Sequence, residues 1–581
     1  MRSARETALP ERSRADLRRS ALLLNAARHM RAGQLVGRLR RLVPPAALAA
    51  RLAPDPPPAY APHARHLGVD DAPQSGRVEP PDVDGVFRAV GCSRPFGSPD
   101  FWTATADGLL FLFHLHGFAP LADYAAGPRS PDGDAFWARV TESWLDSFAR
   151  PSTPAWHPYP TSLRVIAWSA ALSGIDHWPS SLRERLGGEL WRQSRYLRRC
   201  VEHDIGGNHV IKNAVAMVLG GATCGDQSLL AAGRRVLRRA VARQFLPDGG
   251  HEERSTSYHR VVVGDLRDAA AALERATGNS PEWLTAAIAG AERWLQALAG
   301  PGGLLPLLND AWEGPALRRT ATEAVIHLRE SGYVVLRSGR DQAVLDVGRI
   351  CPPHLPPHAH ADVGSFVLWA DGAPVVVDPG AFIYTGPERN RFRGTAAHNT
   401  VEVDGEDQCV FWGDFRAGRQ PRVGASPPRL IGDAVVVHVW HDGYGRLADP
   451  VRHERTFVWC PGDGLVVADV LRAKEPHRVR SSLDHGPRDL EGAVGSAGPL
   501  RVMPLGLNAG VDARPGVGAY APHLGAQRPS RRTELRAEVG PGDPFGWSLL
   551  RAGATAEILT ATELVVRRSS GRPLTIPLGP R

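Results

Sequence analysis

The chain has 581 residues and a formal net charge of +8, from 69 Lys and Arg against 61 Asp and Glu. Only Lys212 and Lys474 are lysines, and neither precedes Ser or Thr, which excludes a GxxxxGK(S/T) phosphate loop. Arginine therefore carries the positive charge, and its forked guanidinium favours partners with carboxylate, phosphate or sulfate groups.

The length predicts two to four domains, at roughly 150 residues per domain. No segment approaches the ~18–20 consecutive apolar residues of a membrane span. The longest early apolar run, residues 21–24, is too short for a secretory signal. We therefore expect a cytoplasmic protein by default, and we leave export or association with the cell envelope open.

The first 84 residues predict a basic helical segment followed by a linker. Leucine and alanine are spaced among arginines over residues 14–53, which is typical of amphipathic helices. We favour a solvated helix pair over a membrane-surface helix. Residues 54–84 are rich in proline and predict a linker or a wrapping arm.

Helical periodicity dominates residues 85–328. Residues 229–246 place apolar side chains at i, i+3, i+4 and i+7, with arginines on the other face. Residues 283–300 show the same spacing and end on glycine, as helices commonly do. These segments predict an all-α domain, which suits a toroid of helix pairs.

From residue 329 to residue 581 the pattern changes to period two and to short β-branched runs. Turn pairs such as Asp371-Gly372 and Asp463-Gly464 separate these runs, as hairpins require. The sequence therefore predicts an α+β multidomain protein, in which a helical domain precedes an antiparallel β-sandwich.

The densest polar cluster contains three histidines and an aspartate. His358 and His360 are two residues apart at the entry to a strand, so in extended chain they point to the same side. Asp378 ends an apolar strand, and His398 opens the next. Two imidazoles and a carboxylate on neighbouring strands predict a zinc site. The alternative is that these histidines are solvated or bonded to the backbone.

A second cluster opens an otherwise apolar helix. Asn208, His209 and Lys212 follow the pair Gly206-Gly207, which allows the close approach of backbone or ligand. The alternative for Asn208 is helix capping.

A third cluster follows a glycine turn and contains Glu252, Glu253 and Tyr258. Tyrosine has a reference pKa of about 10, so it serves as an acid or base where nearby cations favour the phenolate. The alternative is a surface tyrosine at the start of a charged helix.

A fourth group is aromatic and basic, with Trp156, Tyr159 and Arg164. Aromatic faces stack on sugar rings, and arginine pairs with acid groups. The alternative is that the aromatic rings belong to the core.

Together these segments resemble the heparinase II/III-like family of polysaccharide lyases. The matching strings are HPYPTSLRVIAW, GGNHVIKNA, DGGHEERSTSYH, LLNDAW, SGYVVLRSG and the run from DVGRICPPH to VEVDGEDQ. The resemblance covers roughly residues 85–480. It implies an (α/α) toroid followed by an antiparallel β-sandwich, which agrees with the periodicity.

The resemblance also implies the roles of individual residues. It gives Asn208, helped by His209, the neutralisation of a substrate carboxylate, and it gives Tyr258 and His358 the proton transfers. It implies a structural zinc ion on His360, Asp378 and His398, and no organic cofactor. The residues expected to contact the substrate are His116, Trp156, Tyr159, Arg164, Lys212, Glu253 and Arg393.

Three departures from the family pattern indicate altered subsites. Lys212 stands where the family often has Glu, and FHLHGF stands where it often has YNLHY, which keeps only His116 of the polar part. STSYH replaces the common SPMYH.

The expected function is β-elimination in an acidic, uronic-acid-containing polysaccharide, with the active site between toroid and sandwich. Heparin, heparan sulfate, alginate-like uronans and exopolysaccharides are the substrate classes that the resemblance implies. The alternatives are a glycoside hydrolase using Glu252 and Glu253, or a non-catalytic exopolysaccharide-binding or biosynthesis-associated protein. We expect no nucleic-acid partner, and we leave monomer and homodimer open.

Overall fold

The computed structural model describes residues 28–40, 43, 85–103, 105, 108–148, 151–487, 499–507 and 511–579. Of the predicted N-terminal segment, helix α1 (Ala32–Arg40) is described. The rest of that helical prediction and the proline-rich linker at 54–84 lie outside the described residues. In the part of the chain that the structure describes, no helix is long and apolar enough to cross a membrane.

Consecutive helices build the N-terminal domain, as the periodicity predicts. They are α2 (Leu109–Gly117), α3 (Ala119–Ala126), α4 (Pro131–Phe148), α5 (Pro158–Gly174), α6 (Ser180–Leu197), α7 (Gly207–Thr223), α8 (Gln227–Gln244), α9 (Thr256–Thr277) and α10 (Glu282–Leu298). Helices α5 and α7 are buried along nearly their whole lengths and pack against each other. Helix α8 is amphipathic and exposes arginines on its outer face. The architecture is an (α/α) toroid, which confirms the prediction.

The C-terminal domain is antiparallel throughout its described strands, as predicted for a sandwich. A five-stranded sheet contains β3 (Val325–Leu328), β4 (Tyr333–Ser338), β5 (Asp341–Asp346), β6 (Phe366–Ala370) and β7 (Ala373–Val376) in sequence order. Helix α11 (Pro387–Arg393) and strands β8 (Val401–Val403), β9 (Val410–Phe411) and β10 (Ala417–Arg419) follow it. Strands β9 and β10 pair with each other.

Two larger sheets complete the sandwich. The first has the order β11-β13-β14-β15-β20-β17 with β12 on β13, and the second has the order β18-β19-β16-β8. Their strands are β11 (Val423–Ala425), β12 (Arg429–Ile431), β13 (Ala434–His441), β14 (Arg452–Cys460), β15 (Gly464–Arg472), β16 (His477–Gly486), β17 (Leu500–Gly506), β18 (Asp512–His523), β19 (Ala526–Val539) and β20 (Phe545–Arg551). A small sheet of β21 (Thr555–Thr560), β22 (Glu563–Arg567) and β23 (Leu574–Pro577) follows.

Two described elements within residues 85–328 depart from the helical prediction. Strand β3 (Val325–Leu328) already belongs to the five-stranded sheet of the sandwich, and a hairpin precedes α2. Strands β1 (Val86–Ala89) and β2 (Cys92–Pro95) form it, and four-residue strands are too short to register as period two. Its turn lies against the β18–β19 turn so closely that a Cβ on Gly91 would come within 2.9 Å of the Gly525 carbonyl oxygen. The start of the toroid domain therefore docks on the sandwich.

Hydroxyl groups at the start of α9 fix the segment that connects the two domains. Ser255 caps the helix by accepting from the Tyr258 backbone N–H, and its hydroxyl donates to the Asp310 carbonyl. Thr256 donates to the Pro306 carbonyl at 2.7 Å, and Ser257 bonds the backbone of Trp312. The connecting segment is therefore held against the helix that carries Tyr258.

Lys212 is buried in the toroid, which corrects its predicted role as a substrate contact. It is 1% exposed, and its Nζ lies 2.6 Å from Oδ1 of Asp265, which is 3% exposed. The pair joins α7 to α9. The ammonium group is satisfied inside the protein, so its role is structural.

We predict that Lys212→Met destabilises the protein by about 3–5 kcal/mol, because it leaves the Asp265 carboxylate buried without its cation. The double variant K212M/D265L removes both charges and should recover most of that loss. Chemical denaturation measures both. A double variant no more stable than the single one would contradict the assignment.

Candidate active site at the domain junction

Asn208 is held at the start of α7 by Glu253. Its backbone N–H and its side-chain amide both donate to Glu253, with all three distances at 3.0 Å. A Cβ on Gly207 would lie 2.0 Å from Oε1 of Glu253, so glycine at 207 makes this approach possible. The glycine pair in the sequence therefore serves the Asn208–Glu253 contact.

Tyr258, His358 and Tyr384 meet beside this pair. The ring centroids of Tyr258 and His358 are 3.9 Å apart, and the Tyr258 hydroxyl oxygen lies 2.7 Å from that of Tyr384. Nε2 of His358 lies 4.0 Å from Oε1 of Glu253. The structure thus brings together Asn208, Tyr258 and His358, which the sequence assigned to catalysis.

The buried carboxylate of Asp310 accepts hydrogen bonds from three side chains around the site. It accepts from Nδ1 of His358 at 2.8 Å, from Nε2 of His360 at 3.0 Å and from both terminal nitrogens of Arg389. Asp310 and Arg389 are both fully buried. Because an ionised carboxylate only accepts hydrogen bonds, Nδ1 of His358 carries its proton and Nε2 presents a lone pair.

Burial and partners set the protonation states of the site. Burial alone would raise the pKa of Asp310, but Arg389 and the hydrogen bonds from both histidines hold that pKa well below its usual range. Burial raises the pKa of Tyr258 well above its ordinary value, and Tyr384 adds to the effect. Burial therefore dominates at Tyr258 and favours the protonated phenol over the phenolate.

His209 lies one residue beyond Asn208 and is tied to a second buried carboxylate. Its Nδ1 is 3.2 Å from Oε1 of Glu202, and its ring lies 4.6 Å from that of Tyr159. Asn213 donates to the other oxygen of Glu202 at 3.0 Å. His209 and Tyr159 are both partly exposed, so they remain candidates for substrate contact.

Four of the predicted substrate contacts are buried instead. Arg164 donates to the carbonyls of His116 and Ala155 and to Gln193, and Arg393 donates to two backbone carbonyls. Their prediction as substrate contacts is wrong, because internal acceptors satisfy the guanidinium groups. Besides Lys212, the members of the predicted set that are at most 1% exposed are His116, Trp156, Arg164 and Arg393.

Glu253 was also predicted to contact the substrate, and it is buried with both oxygens engaged by Asn208. Burial opposes its ionisation, but His358 and His251, in their protonated forms, together with the Asn208 bonds lower its pKa. Glu253 is therefore an anion that positions Asn208.

His360, Asp378 and His398 form one buried cluster, as the sequence predicts for a metal site. Their candidate ligand atoms lie within 4.8 Å of one another. Nδ1 of His360 and Nε2 of His398 are buried without a hydrogen-bond partner among the described residues. Nδ1 of His398 lies 2.8 Å from Oδ2 of Asp378.

The sequence reasoning missed Asp310, Tyr384, Arg389 and Glu202. Asp310 stands among apolar residues in the string LLNDAW, which is the signal of a buried carboxylate. Tyr384 and Arg389 lie in the string that follows Asp378, but nothing local marks their partners. Both bond residues more than 70 positions away.

Helix α1 packs next to the site. The Gln34 amide donates to the His354 carbonyl at 3.1 Å, and Arg31 lies 3.8 Å from Glu252. A Cβ on Gly37 would lie 2.7 Å from that of Asp204, so the helix backbone contacts the loop before α7 directly. The N-terminal segment therefore borders the catalytic loops.

Comparison with known proteins places these features in a family. Residues 135–328 match the family described as Heparinase II/III N-terminus, and residues 320–498 match Heparinase II/III-like, C-terminal. A heparin-sulfate lyase of Bacteroides thetaiotaomicron is 22% identical over 332 residues, which cover 46% of this chain and 47% of the relative. One of Pedobacter heparinus is 25% identical over 215 residues, which cover 31% and 32%. The matches thus span half or less of these relatives.

Solved structures share the fold over more of the chain. A crystal structure of heparinase III has a TM-score of 0.65 at 18% identity and covers 80% of this chain and 83% of its own. A heparan sulfate lyase mutant from Pedobacter heparinus has a TM-score of 0.60 at 15% identity and covers 92% and 94%. The toroid-plus-sandwich architecture is therefore the one that these proteins have.

We predict that Asp310→Asn destabilises the protein by about 3–5 kcal/mol, because the variant leaves Arg389 buried without its counter-charge. Asp442→Asn is the matched control, since its partner Arg422 is 83% exposed and such pairs contribute at most about 1 kcal/mol. Thermal or urea denaturation of both variants checks the difference. Equal losses would show that Asp310 is not the organising charge.

Proposed function

The chain belongs to the heparinase II/III-like family, and we propose that it is a polysaccharide lyase that cleaves an acidic, uronic-acid-containing polysaccharide by β-elimination. The convergence of Asn208, Tyr258 and His358 at the junction of toroid and sandwich carries this proposal. β-Elimination needs a group that removes the proton α to the uronate carboxylate, an acid for the leaving glycosidic oxygen, and donors that stabilise the enolate.

His358 is suited to act as the base. Asp310 holds the proton on Nδ1, so Nε2 has a free lone pair, and the His358 side chain is 12% exposed. The same carboxylate stabilises the imidazolium that forms when Nε2 accepts the proton.

Tyr258 is suited to act as the acid. Burial keeps its phenol protonated, so it has a proton to donate to the leaving oxygen. Its neighbour Tyr384, at 2.7 Å, can donate to the Tyr258 oxygen and stabilise the phenolate that remains. For the epimer with its α proton on the opposite face, Tyr258 would have to lose its proton before acting as base, which burial disfavours.

The donors proposed for the uronate carboxylate are His209, which is partly exposed, and Asn208, which is 1% exposed and would have to exchange its contact with Glu253. The carbon acid is too weak while the carboxylate keeps its full charge, so hydrogen-bond donors aimed at it stabilise the developing enolate. The Asn208 amide donates to Glu253 in the absence of substrate, and a substrate carboxylate would compete for those hydrogen atoms. Glu253 therefore presents the amide in a fixed orientation.

The substrate class follows from the relatives and from charge. Two similar curated proteins are named heparin-sulfate lyases, and the chain carries a net charge of +8. A basic surface attracts a polyanion and makes the rate depend on salt. Heparan sulfate is the first substrate to test, followed by heparin, alginate-like uronans and acidic exopolysaccharides.

Glycoside hydrolysis is the competing reaction. Burial raises the pKa of Glu252 to about 7, which suits a general acid. Its partner would be Glu253, but the two carboxylates are adjacent in the chain and both oxygens of Glu253 accept from Asn208. Hydrolysis products would also lack the unsaturated chromophore.

A structural zinc ion fits the cluster of His360, Asp378 and His398. Two buried imidazole nitrogens without partners and a carboxylate are the donor set that zinc prefers. When bound, the ion would supply a structural crosslink between the chain segments at 360, 378 and 398. It would also fix His360, whose other nitrogen bonds Asp310.

We predict that Tyr258→Phe lowers kcat at least 100-fold with little change in KM, because the variant loses the proton donor and keeps the ring. The assay is near-ultraviolet absorbance of unsaturated products on the polysaccharide panel. Tyr196→Phe is the control, since this buried hydroxyl donates to the Trp156 carbonyl inside the toroid. The kcat of this control should stay within roughly threefold of the parent value.

Full activity in folded Y258F would refute the assignment. Binding without products by the parent chain across the panel would instead identify a non-catalytic binding protein, and saturated products would identify a hydrolase.

We predict about one zinc ion per chain in freshly purified protein, because two imidazoles and a carboxylate form a zinc ligand set. Elemental analysis measures the zinc content. The variants H360A and H398A should lose it, and the melting temperature should fall on chelation because bound metal stabilises the folded state. His438→Ala is the control, since this buried histidine bonds Thr456 in the sandwich. Metal-free parent protein would overturn the proposal.

A further inference from the structure

A polar cavity lies at the domain junction, lined by residues other than those proposed for catalysis. It has a volume of about 370 Å³. Arg254 contributes from the toroid side, and Arg329, Arg349, His327 and Glu330 contribute from the sandwich. We call these residues and the cavity they line the arginine pocket. Its volume falls in the range of ligand-binding pockets.

The arginine pocket has an excess of positive charge. It presents three guanidinium groups against the single carboxylate of Glu330. Arg329 and Arg349 are exposed, and among the described residues neither guanidinium has a hydrogen-bond or ion-pair partner in the structure. Burial, with help from Arg329, lowers the pKa of His327, so this residue adds a neutral donor. The pocket therefore suits an anion.

Arg254 is fixed at the pocket by its backbone and its partners. Its φ of +58° is in the left-handed region, which non-glycine residues rarely adopt and which often marks functional sites. One terminal nitrogen donates to the Arg349 carbonyl, and the other donates to the Glu330 carbonyl at 3.0 Å. A Cβ on Gly348 would lie 2.9 Å from the first of these nitrogens, so glycine there leaves room for the guanidinium.

The opposite wall of the pocket is apolar. Val423 and Ala425 belong to β11, which is at the edge of its sheet, and Pro427 follows it. Aliphatic side chains can pack on the C–H face of a sugar ring, while the guanidinium groups bind an acid group on that ring. A site with both features fits a charged sugar better than a free inorganic ion.

We propose that the arginine pocket binds an acidic sugar residue of the polysaccharide away from the bond that is cleaved. The proposal rests on the proposed function for the identity of the ligand. The group recognised is a carboxylate or a sulfate, since the guanidinium fork pairs with either. Glu253 and Arg254 are consecutive, so one chain segment holds Asn208 for the reaction and contributes to the second site.

The test is a binding measurement in the full chain with Tyr258→Phe, which prevents turnover. The pocket variant adds R329Q/R349Q, and the control adds R234Q/R238Q, which removes the same charge from the exposed face of α8. The probes are a heparan sulfate decasaccharide, the same chain after desulfation, and a disaccharide. Calorimetric titration at fixed salt gives Kd.

We expect the pocket variant to bind the decasaccharide about threefold to tenfold more weakly than the control variant, in keeping with the loss of two partly exposed ion pairs. The difference between the two variants should be smaller for the disaccharide, because a shorter ligand has fewer acid groups to place in the arginine pocket. Persistence of the effect after desulfation would assign the carboxylate, and its loss would assign the sulfate. Equal weakening in pocket and control variants would overturn the proposal.

The two proposals fail separately. If the parent chain yields no unsaturated product while the pocket variant still binds more weakly than the control, the lyase proposal is wrong and the arginine pocket stands. If the parent chain is an active lyase and both variants bind alike, only the arginine pocket is wrong.

Discussion

The candidate active site depends on one buried anion, the carboxylate of Asp310. It lies on the segment between the domains and receives hydrogen bonds from two loop histidines and from Arg389 of α11. A fully buried carboxylate destabilises the fold unless hydrogen-bond donors satisfy its lone pairs. The folded chain must therefore place both histidines and Arg389 against Asp310. His358 lies beside Tyr258, and His360 lies in the cluster with Asp378 and His398. One charge therefore fixes the orientation of both histidines.

The same rule applies to the other carboxylates around the site. Glu253 is held by the Asn208 amide, and Glu202 by Asn213 and His209. Each buried anion takes its donors from residues at or next to the candidate site, which limits how far those residues can move. Burial raises the pKa of Tyr258, and the phenol is therefore neutral, in contrast to these ionised carboxylates. A protonated phenol beside an unprotonated imidazole nitrogen is the pairing that β-elimination requires of an acid and a base.

Local motifs made much of this site predictable. Asn208 follows a glycine pair, and His360 lies on a short string with His358, so their side chains could be placed from sequence. Residue type did not indicate burial, however, and this is why Trp156 and Arg164 were misplaced. Arg164 is satisfied by backbone carbonyls of the toroid, and nothing in its neighbours reveals those acceptors. Asp310 and Arg389 were missed because their contact spans 79 positions.

The architecture was predictable for a different reason. Apolar residues recur every 3.6 residues in the helices and every 2 residues in the strands, over long segments. A short departure such as the hairpin at 86–95 therefore does not change the predicted domain type. The order of domains follows directly from where the period changes. What periodicity cannot give is how the segment between the domains is held against α9, which the hydroxyls of Ser255, Thr256 and Ser257 do.

The departure at Lys212 has a physical explanation in the toroid core. Asp265 faces position 212, so the lysine neutralises a carboxylate that would otherwise be buried alone. A glutamate at 212 would place two carboxylates together out of water, which is strongly unfavourable unless one is protonated. A change at 212 alone therefore leaves the Asp265 carboxylate buried without its cation. Lys212 therefore belongs to the packing of α7 against α9, and the predicted substrate contact that stays partly exposed is Tyr159, beside His209.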